Sequence, residues 1–519
     1  MAAVGGKVYL IGAGPGDPGL FTLRGKEILE NADVVVYDYL ANDALLAFAR
    51  PDAERIYVGK KGGDHTLSQE GINALIVAKA REGKSVARLK GGDPYMFGRG
   101  GEEAEELLAA GLPFEVAPGV TSGIAGPAYA GIPLTHRAHS SSVVFVTGHE
   151  DPAKPDTAHN WPALAASGST LVFYMGMKNL PDISRKLIDA GLAPTTPAAL
   201  VRWGTTSRHR SLVSTLAALP AQAVEHGFSA PSLIVVGSVV TLHGLLNWFE
   251  QKPLLGKGIV VTRAREQASD SAALLREQGA DVIQFPTISI SPLEDYREVR
   301  DAIGRLASYH LAVFTSVNGV RHFWRQLETL GLDSRALGGI KVAAIGPATA
   351  TALVSRGIRP DLLPEKYVAE SVASGILAMF GNTLDGLRIL IPRARVARDV
   401  LPSLLAEAGA RVDVTPVYET TPSGEKRDEV LARLRAGDIQ CITFGSSSTV
   451  ENFLSLIPVE TLKAYPDLRF ACIGPITAAT LEKAGLTCHV QPEEYSIPGL
   501  VAALVEYFKT DSGPPSKKP

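Results

Sequence analysis

The segment Leu89-Lys-Gly-Gly-Asp-Pro-Tyr-Met-Phe-Gly-Arg-Gly-Gly-Glu-Glu103 constrains the fold more than any other part of the chain. Five glycines and a proline in fifteen residues exclude the interior of a helix or strand. Yet the segment follows an apolar, strand-like run from Ser85 to Leu89 and opens a helical one from Glu102 to Ala110. A glycine-dense loop running from strand end to helix start is where an α/β domain lets its backbone approach a ligand.

From Lys7 to about Phe249, short β-branched runs alternate with helical patterns, which predicts an α/β fold. Strands are expected at Val8–Gly12, Val34–Asp38, Arg55–Val58, Ser85–Leu89, Phe114–Val116, Val143–Thr147, Thr170–Tyr174, Ala198–Arg202 and Ser232–Gly237. Pro118-Gly-Val-Thr-Ser122 reads as a hinge between subdomains of about 1–117 and 118–250, and 251–258 as a linker to an independent second half. That half repeats itself. Thr262-Arg-Ala-Arg265 recurs as Pro392-Arg-Ala-Arg395, Phe314-Thr-Ser-Val as Phe444-Gly-Ser-Ser, and Ile345-Gly-Pro-Ala-Thr349 as Ile473-Gly-Pro-Ile-Thr477, at offsets of 130, 130 and 128 residues. One period is the size of a domain, so two similar α/β domains facing a cleft are expected.

A chain of 519 residues exceeds a single core. Its net charge of −3 and lack of a polybasic run argue against wholesale nucleic-acid binding. Cys441, Cys472 and Cys488 form no paired motif, which fits a reducing cytoplasm and no structural metal. The apolar stretch Ser232 to Phe249 is interrupted by Gly237, His243 and Gly244, so it reads as strand then helix rather than a membrane span. Residues 509–519 are expected to be a disordered tail.

The opening Gly12-Ala-Gly-Pro-Gly-Asp17, with Asp38 ending the next strand, imitates a dinucleotide fingerprint. It fails because Asp17 stands at the third glycine position and Pro15 and Pro18 remove backbone donors. That motif, together with Val58-Gly-Lys60, Gly91-Gly-Asp-Pro94, Phe97-Gly-Arg-Gly-Gly101, Pro118-Gly-Val-Thr-Ser122, Gly131-Ile-Pro-Leu-Thr-His136, Phe173-Tyr-Met-Gly176 and Trp203-Gly-Thr205, closely resembles the tetrapyrrole C-methyltransferases that use S-adenosylmethionine. Within them it looks most like the uroporphyrinogen-III branch. The resemblance covers residues 5–250 and implies a fold of two α/β subdomains, with homodimers usual in the family. It also implies Asp38 as proton acceptor and Lys60 as proton donor, although either residue type is also an ordinary surface charge. Gly91, Gly92, Asp93, Thr121, Ser122, Met175 and Gly204 are candidates to hold the cofactor, and the family adds Pro15 and Met96. Arg99 and His65 are candidates for substrate carboxylates, which a guanidinium binds in bidentate fashion.

Residues 259–508 resemble uroporphyrinogen-III synthases by the set, order and duplication of their motifs. That likeness implies a domain of about 259–290 plus 418–508 and another of about 293–415, joined by a two-strand connector. A substrate with eight carboxylates needs donors, for which Thr315, Ser316, Thr349, Ser446, Ser447, Ser448 and Thr477 are candidates, with Arg263, Arg265, Arg393 and Arg395 for steering. Tyr418 matches a family tyrosine thought to assist hydroxyl departure.

Together the two resemblances imply a bifunctional enzyme that makes uroporphyrinogen III and methylates it to precorrin-2, for sirohaem or cobalamin. The alternative is a methyltransferase of another tetrapyrrole fused to a two-domain ligand sensor.

Overall fold

A computed structural model describes residues 6–59, 67–149, 159–262, 265–365, 369–397, 399–424 and 426–510, the side chains of 265–270 and 422 excepted. Lys60, His65 and Arg263, the side chain of Arg265, and most of the expected tail therefore lie outside the described residues. The chain divides into two compact units. The first takes the residues up to Ile259, with Ala273–Val282 and the chain from Val501 on; the second takes Val260–Ala272 and Ile283–Leu500.

The first unit opens with β1 (Val8–Gly12), β2 (Val34–Tyr37), β3 (Glu54–Tyr57), β4 (Val86–Lys90) and β5 (Phe114–Ala117). They form an all-parallel sheet in the order β3-β2-β4-β1-β5. A parallel sheet is covered on both faces and its strands are accordingly apolar throughout. Val8, Leu10, Val34 and Val36 pack with residues of the helices Gln69–Arg81 and Gly100–Ala109, while Ile11, Val35, Ala87 and Leu89 pack with the helix Leu23–Leu29. Arg88 and Lys90 break that rule, for both are buried within β4.

A second sheet follows, with β6 (Val143–Thr147), β7 (Thr170–Tyr174), β8 (Pro197–Arg202), β9 (Arg210–Thr215) and β10 (Ser232–Val236) in the order β6-β7-β10-β8-β9. Only β6 and β7 run parallel. Every strand read from the sequence recurs with ends shifted by at most one residue. The additional strand, β9, is an edge with the polar sequence Arg-Ser-Leu-Val-Ser-Thr, which carries no apolar run to announce it.

The expected spacer 251–258 is instead a packed part of the first unit. Leu254 is fully buried and donates its N–H to Gln278 O at 3.0 Å, and Gly256 N–H reaches Ser207 O at 3.0 Å. Leu254 is an apolar anchor in a Pro- and Gly-containing stretch, and burying it outweighs the freedom of its neighbours.

The rest of the chain supplies β11 (Gly258–Val261), β12 (Asp281–Gln284), β13 (Ile288–Ser291), β14 (Leu311–Phe314), β15 (Lys341–Ala344), β16 (Arg388–Ala394), β17 (Arg411–Pro422), β18 (Cys441–Phe444) and β19 (Arg469–Cys472). Two sheets result, β12-β11-β18-β19 and β13-β17-β16-β14-β15. The sequence repeat is a structural repeat. β14 and β15 pair in parallel as β18 and β19 do, and the lone bridge from Ala343 to Leu362 recurs from Ala471 to Val490. β13 and β17 run antiparallel, Ser291 opposite Glu419, and β17 carries Tyr418.

Among the described residues no helix is long and apolar enough to cross a membrane, and no group of three or more His, Cys, Asp or Glu is placed to hold a metal ion.

Candidate active site

In the first unit the parallel sheet delivers its loops to one edge, the carboxyl ends of its strands, where open α/β sheets gather ligands. The loop after β1 and the loop after β4 pair backbone to backbone: Gly14 N–H donates to Gly92 O at 3.1 Å and Gly92 N–H to Gly14 O at 2.7 Å. The loop after β5 lies directly on both. A Cβ on Gly119 would sit 2.3 Å from Gly92 O and 2.7 Å from Gly12 Cα, so only glycine permits the approach. Asp93 braces this junction, its carboxylate accepting from Gly119 N–H at 3.0 Å and Tyr95 N–H at 2.8 Å.

Asp17 explains why the first motif departs from a dinucleotide fingerprint. Its carboxylate accepts from Gly19 N–H at 2.8 Å and from the Tyr129 hydroxyl at 2.7 Å, while its own N–H donates to Thr205 Oγ1 at 3.1 Å. The position is occupied by a brace that ties the Pro15 loop to the Trp203-Gly-Thr205 turn. Gly204 lies in that turn, where a Cβ would meet Gly126 Cα at 2.8 Å.

The helix Ser122–Tyr129 starts without a side-chain cap, because the Thr121 hydroxyl bonds instead to the Tyr174 hydroxyl at 2.8 Å. Tyr174 Oη also accepts from Gly123 N–H at 2.8 Å, and its ring stands 4.9 Å from that of Phe97. Burial raises the Tyr174 phenol pKa, against hydrogen bonds from this helix start. Met96 packs half-buried beside the second sheet, whereas Met175 is exposed.

Left-handed backbone concentrates here. Among the described residues six non-glycine residues have positive φ, and five of them, Phe97, Arg99, Met175, Trp203 and Thr205, lie in these loops, at 48° to 71°. Each such conformation costs on the order of 1–3 kcal/mol and persists where surrounding contacts enforce it, typically at functional sites. Exposed Tyr39, Leu40, Tyr95 and Phe97 add apolar surface to the same loops.

Asp38 follows β2 at this edge. Its carboxylate accepts from Leu40 N–H at 3.1 Å and, through Oδ2, from Arg88 Nη2 at 3.1 Å. Arg88 and Lys90 are residues the sequence reading passed over. The available signal was two charges, two apart, in a strand flanked on both sides and otherwise apolar. Arg99 makes a bidentate pair with Glu102, Nε at 3.0 Å and Nη2 at 2.6 Å, which raises the guanidinium pKa. To hold a ligand carboxylate it must exchange that partner.

In the second half the serine and threonine loops have mostly structural employment. Ser316 caps the helix Val317–Thr329, accepting from Gly319 N–H at 2.9 Å. Ser446 caps Ser447–Leu456 in a reciprocal capping box with Thr449. The Ser447 hydroxyl donates to Ile476 O at 3.3 Å, and Thr315 is half-buried after β14. Thr349 and Thr477 are both buried within their helices, 4% and 5% exposed. Arg393 pairs with Asp399, and Arg395 with Glu419 at 2.8 Å. Tyr418 is buried with its hydroxyl 3.2 Å from Ser316 Oγ and its ring 5.4 Å from that of His322. Burial pushes its phenol pKa up, against the Ser316 hydrogen bond.

Comparison with known proteins divides the chain in the same sense. Residues 7–220 match the family of tetrapyrrole (corrin/porphyrin) methylases, and residues 269–502 that of uroporphyrinogen-III synthase HemD. A porphyrin biosynthesis protein HemD of Ruminiclostridium josui is 38% identical over 506 residues, covering 96% of this chain and 98% of its own. A uroporphyrinogen-III C-methyltransferase of Bacillus subtilis is 51% identical over 247 residues, which are 48% of this chain and 96% of that one. Among solved structures, a Thermus thermophilus uroporphyrin-III C-methyltransferase complexed with S-adenosylhomocysteine is 39% identical, spanning 46% of this chain and all of its own, at a TM-score of 0.39.

Proposed function

The chain belongs to the family that joins a tetrapyrrole methylase to a uroporphyrinogen-III synthase, and we propose that it performs both reactions. One half cyclises hydroxymethylbilane to uroporphyrinogen III; the other methylates that product twice, giving precorrin-2 for sirohaem or cobalamin. The observation that carries the methylating half is the convergence of three glycine loops at one sheet edge, beside Asp38, with five left-handed residues in the loop after β4 and in the loops that follow β7 and β8.

Those loops fit S-adenosylmethionine by their donor set. A Cβ on Gly92 would stand 3.9 Å from Ser122 N, over the uncapped start of a helix, so glycine keeps that start open to an adenosine or a carboxylate. Thr121, Ser122, Gly204 and the backbone of Gly91 supply small polar groups. The Pro15 loop and Met96 supply apolar contact. When bound, the cofactor supplies an electrophilic methyl to a pyrrole carbon.

The chain's own work is to align that carbon, exclude water and take away the displaced ring proton. Asp38 is the acceptor in this reading, placed directly after β2 at the carboxyl end of the sheet. Lys60 is the donor, and Arg99 with His65 binds substrate carboxylates. In the synthase half Tyr418 donates a hydrogen bond toward the departing hydroxyl. Its raised pKa limits it to modest assistance. Helix starts after β14, β15, β18 and β19 offer backbone N–H groups to the substrate's carboxylates. A homodimer through the first half, a cytoplasmic location and the absence of nucleic-acid partners complete the proposal.

The test uses each substrate separately. Uroporphyrinogen III with S-adenosylmethionine should gain the mass of two methyls, and hydroxymethylbilane alone should give the type III isomer. No methyl gain overturns the first assignment; type I isomer alone overturns the second.

A further inference from the structure

Beneath the glycine loops lies a buried charge cluster that the reaction chemistry above does not use. Arg88 and Lys90 point from the same face of β4, with side chains 3% and 5% exposed, toward Glu103 in the helix Gly100–Ala109, which is 1% exposed. One oxygen, Glu103 Oε1, receives Lys90 Nζ at 2.6 Å, Gln69 Nε2 at 3.1 Å and Arg88 Nε at 3.3 Å. Arg88 Nη1 is fixed by Leu89 O at 3.0 Å, and its remaining arm, Nη2, reaches Asp38 Oδ2 at 3.1 Å. Glu103 Oε2 is buried with no hydrogen-bond partner among the described residues. Burial, with Arg88 beside it, lowers the Lys90 pKa, against Glu103.

Such a cluster is poorly explained by stability. Well-packed apolar residues of similar volume are often as stable or more so, and an unpartnered buried oxygen costs on the order of 1–3 kcal/mol. What the cluster does supply is direction. Glu103 and Leu89 O hold one planar guanidinium so that its single outward arm meets the carboxylate at the sheet edge, while Lys90 and Gln69 hold Glu103. Nε, Nη1 and Nη2 each serve a different partner, a spread that the single nitrogen of a lysine does not reproduce.

We propose that Arg88, anchored by Glu103 and Lys90, is a positioning residue that sets the orientation of the Asp38 carboxylate for proton removal. The inference rests on the reading of Asp38 as proton acceptor. Asp38 touches the substrate; Arg88 acts through it.

A double-mutant cycle on the full chain tests this, with Arg88→Lys, Asp38→Asn and the pair, measuring methylation of uroporphyrinogen III and binding of S-adenosylhomocysteine. Arg88→Lys should lower kcat by about 10- to 100-fold, the cost of a misplaced group. Its affinity for S-adenosylhomocysteine and its cyclisation of hydroxymethylbilane should stay within about twofold of wild type. In the Asp38→Asn background the same change should cost less than about threefold. Glu103→Gln, which frees the anchor and keeps the volume, should lower kcat in the same way with S-adenosylhomocysteine binding retained. An undiminished kcat in Arg88→Lys, or loss of S-adenosylhomocysteine binding along with it, overturns the proposal. So does a fully additive cycle. If Asp38→Asn alone leaves kcat unchanged, it is the acceptor reading itself that fails.

Discussion

The two halves solve ligand placement in opposite ways. The first commits backbone: Gly12, Gly92 and Gly119 touch one another without side chains, and five non-glycine residues hold left-handed φ around them. The second commits ordinary helix starts, capped by Ser316 and Ser446. A strained, close-packed site tolerates almost no substitution, whereas a site made of helix starts degrades gradually. Under the proposed reactions, the difference matches a cationic cofactor whose one reactive methyl needs alignment and an eight-carboxylate substrate that needs many moderate contacts.

The largest effect should come from the glycine junction. Gly119→Val places carbon where Gly92 O now lies, 2.3 Å from the ideal Cβ, and must push the loops apart. Methylation should fall by about 100-fold or more, with S-adenosylhomocysteine affinity lost by calorimetry and cyclisation retained. Wild-type methylation in this variant would remove the contrast between the halves.

A pH effect on stability comes next and belongs to the first unit. His209 is wholly buried, 3.5 Å from Glu250 Oε1, and burial depresses its pKa from 6.5 to about 4. As pH falls below 6.5 the unfolded chain takes up the proton first, so stability is present above that value and is lost down to about pH 4. The full loss is on the order of 3 kcal/mol. Melting of the isolated transition that carries methyltransferase activity should drop accordingly between pH 7 and 5, and His209→Phe should flatten the dependence.

Smaller effects should mark the second half. Tyr418→Phe should slow cyclisation by at most about tenfold, short of the 10²-fold or more that a well-matched acid contributes. Unchanged turnover would reduce Tyr418 to packing against His322. Ser446→Ala removes a cap and should cost about 1 kcal/mol of stability in denaturant titration, with kcat for cyclisation nearly intact. A large loss of kcat would show that the serine serves the substrate rather than the helix.

The same contrast decides what could be read from the residues alone. The glycine loop at Leu89 to Glu103 was legible because dense glycine has few physical uses, and the strands of the first half because parallel β-strands are continuous apolar runs. Asp38 was legible as a carboxylate at a strand end. Its partners were hidden, since Arg88, Lys90 and Glu103 are distant in type from an apolar strand and a solvated helix, and meet only in three dimensions. Serine and threonine after β14, β15, β18 and β19 looked like ligand donors because a cap and a donor are the same hydroxyl. Only the structure shows Ser316 and Ser446 turned to their own helices and Thr349 and Thr477 buried. The packed stretch at Leu254 was read as a linker because its proline and glycines outweighed one buried leucine.

The most direct test gives the Asp38→Asn chain hydroxymethylbilane and S-adenosylmethionine together and identifies the products by mass and isomer. Independent halves, with Asp38 as proton acceptor, predict that unmethylated uroporphyrinogen III accumulates while methylation slows by about 10²- to 10⁴-fold. Dimethylated product at the wild-type rate, or type I isomer in place of type III, would contradict the account.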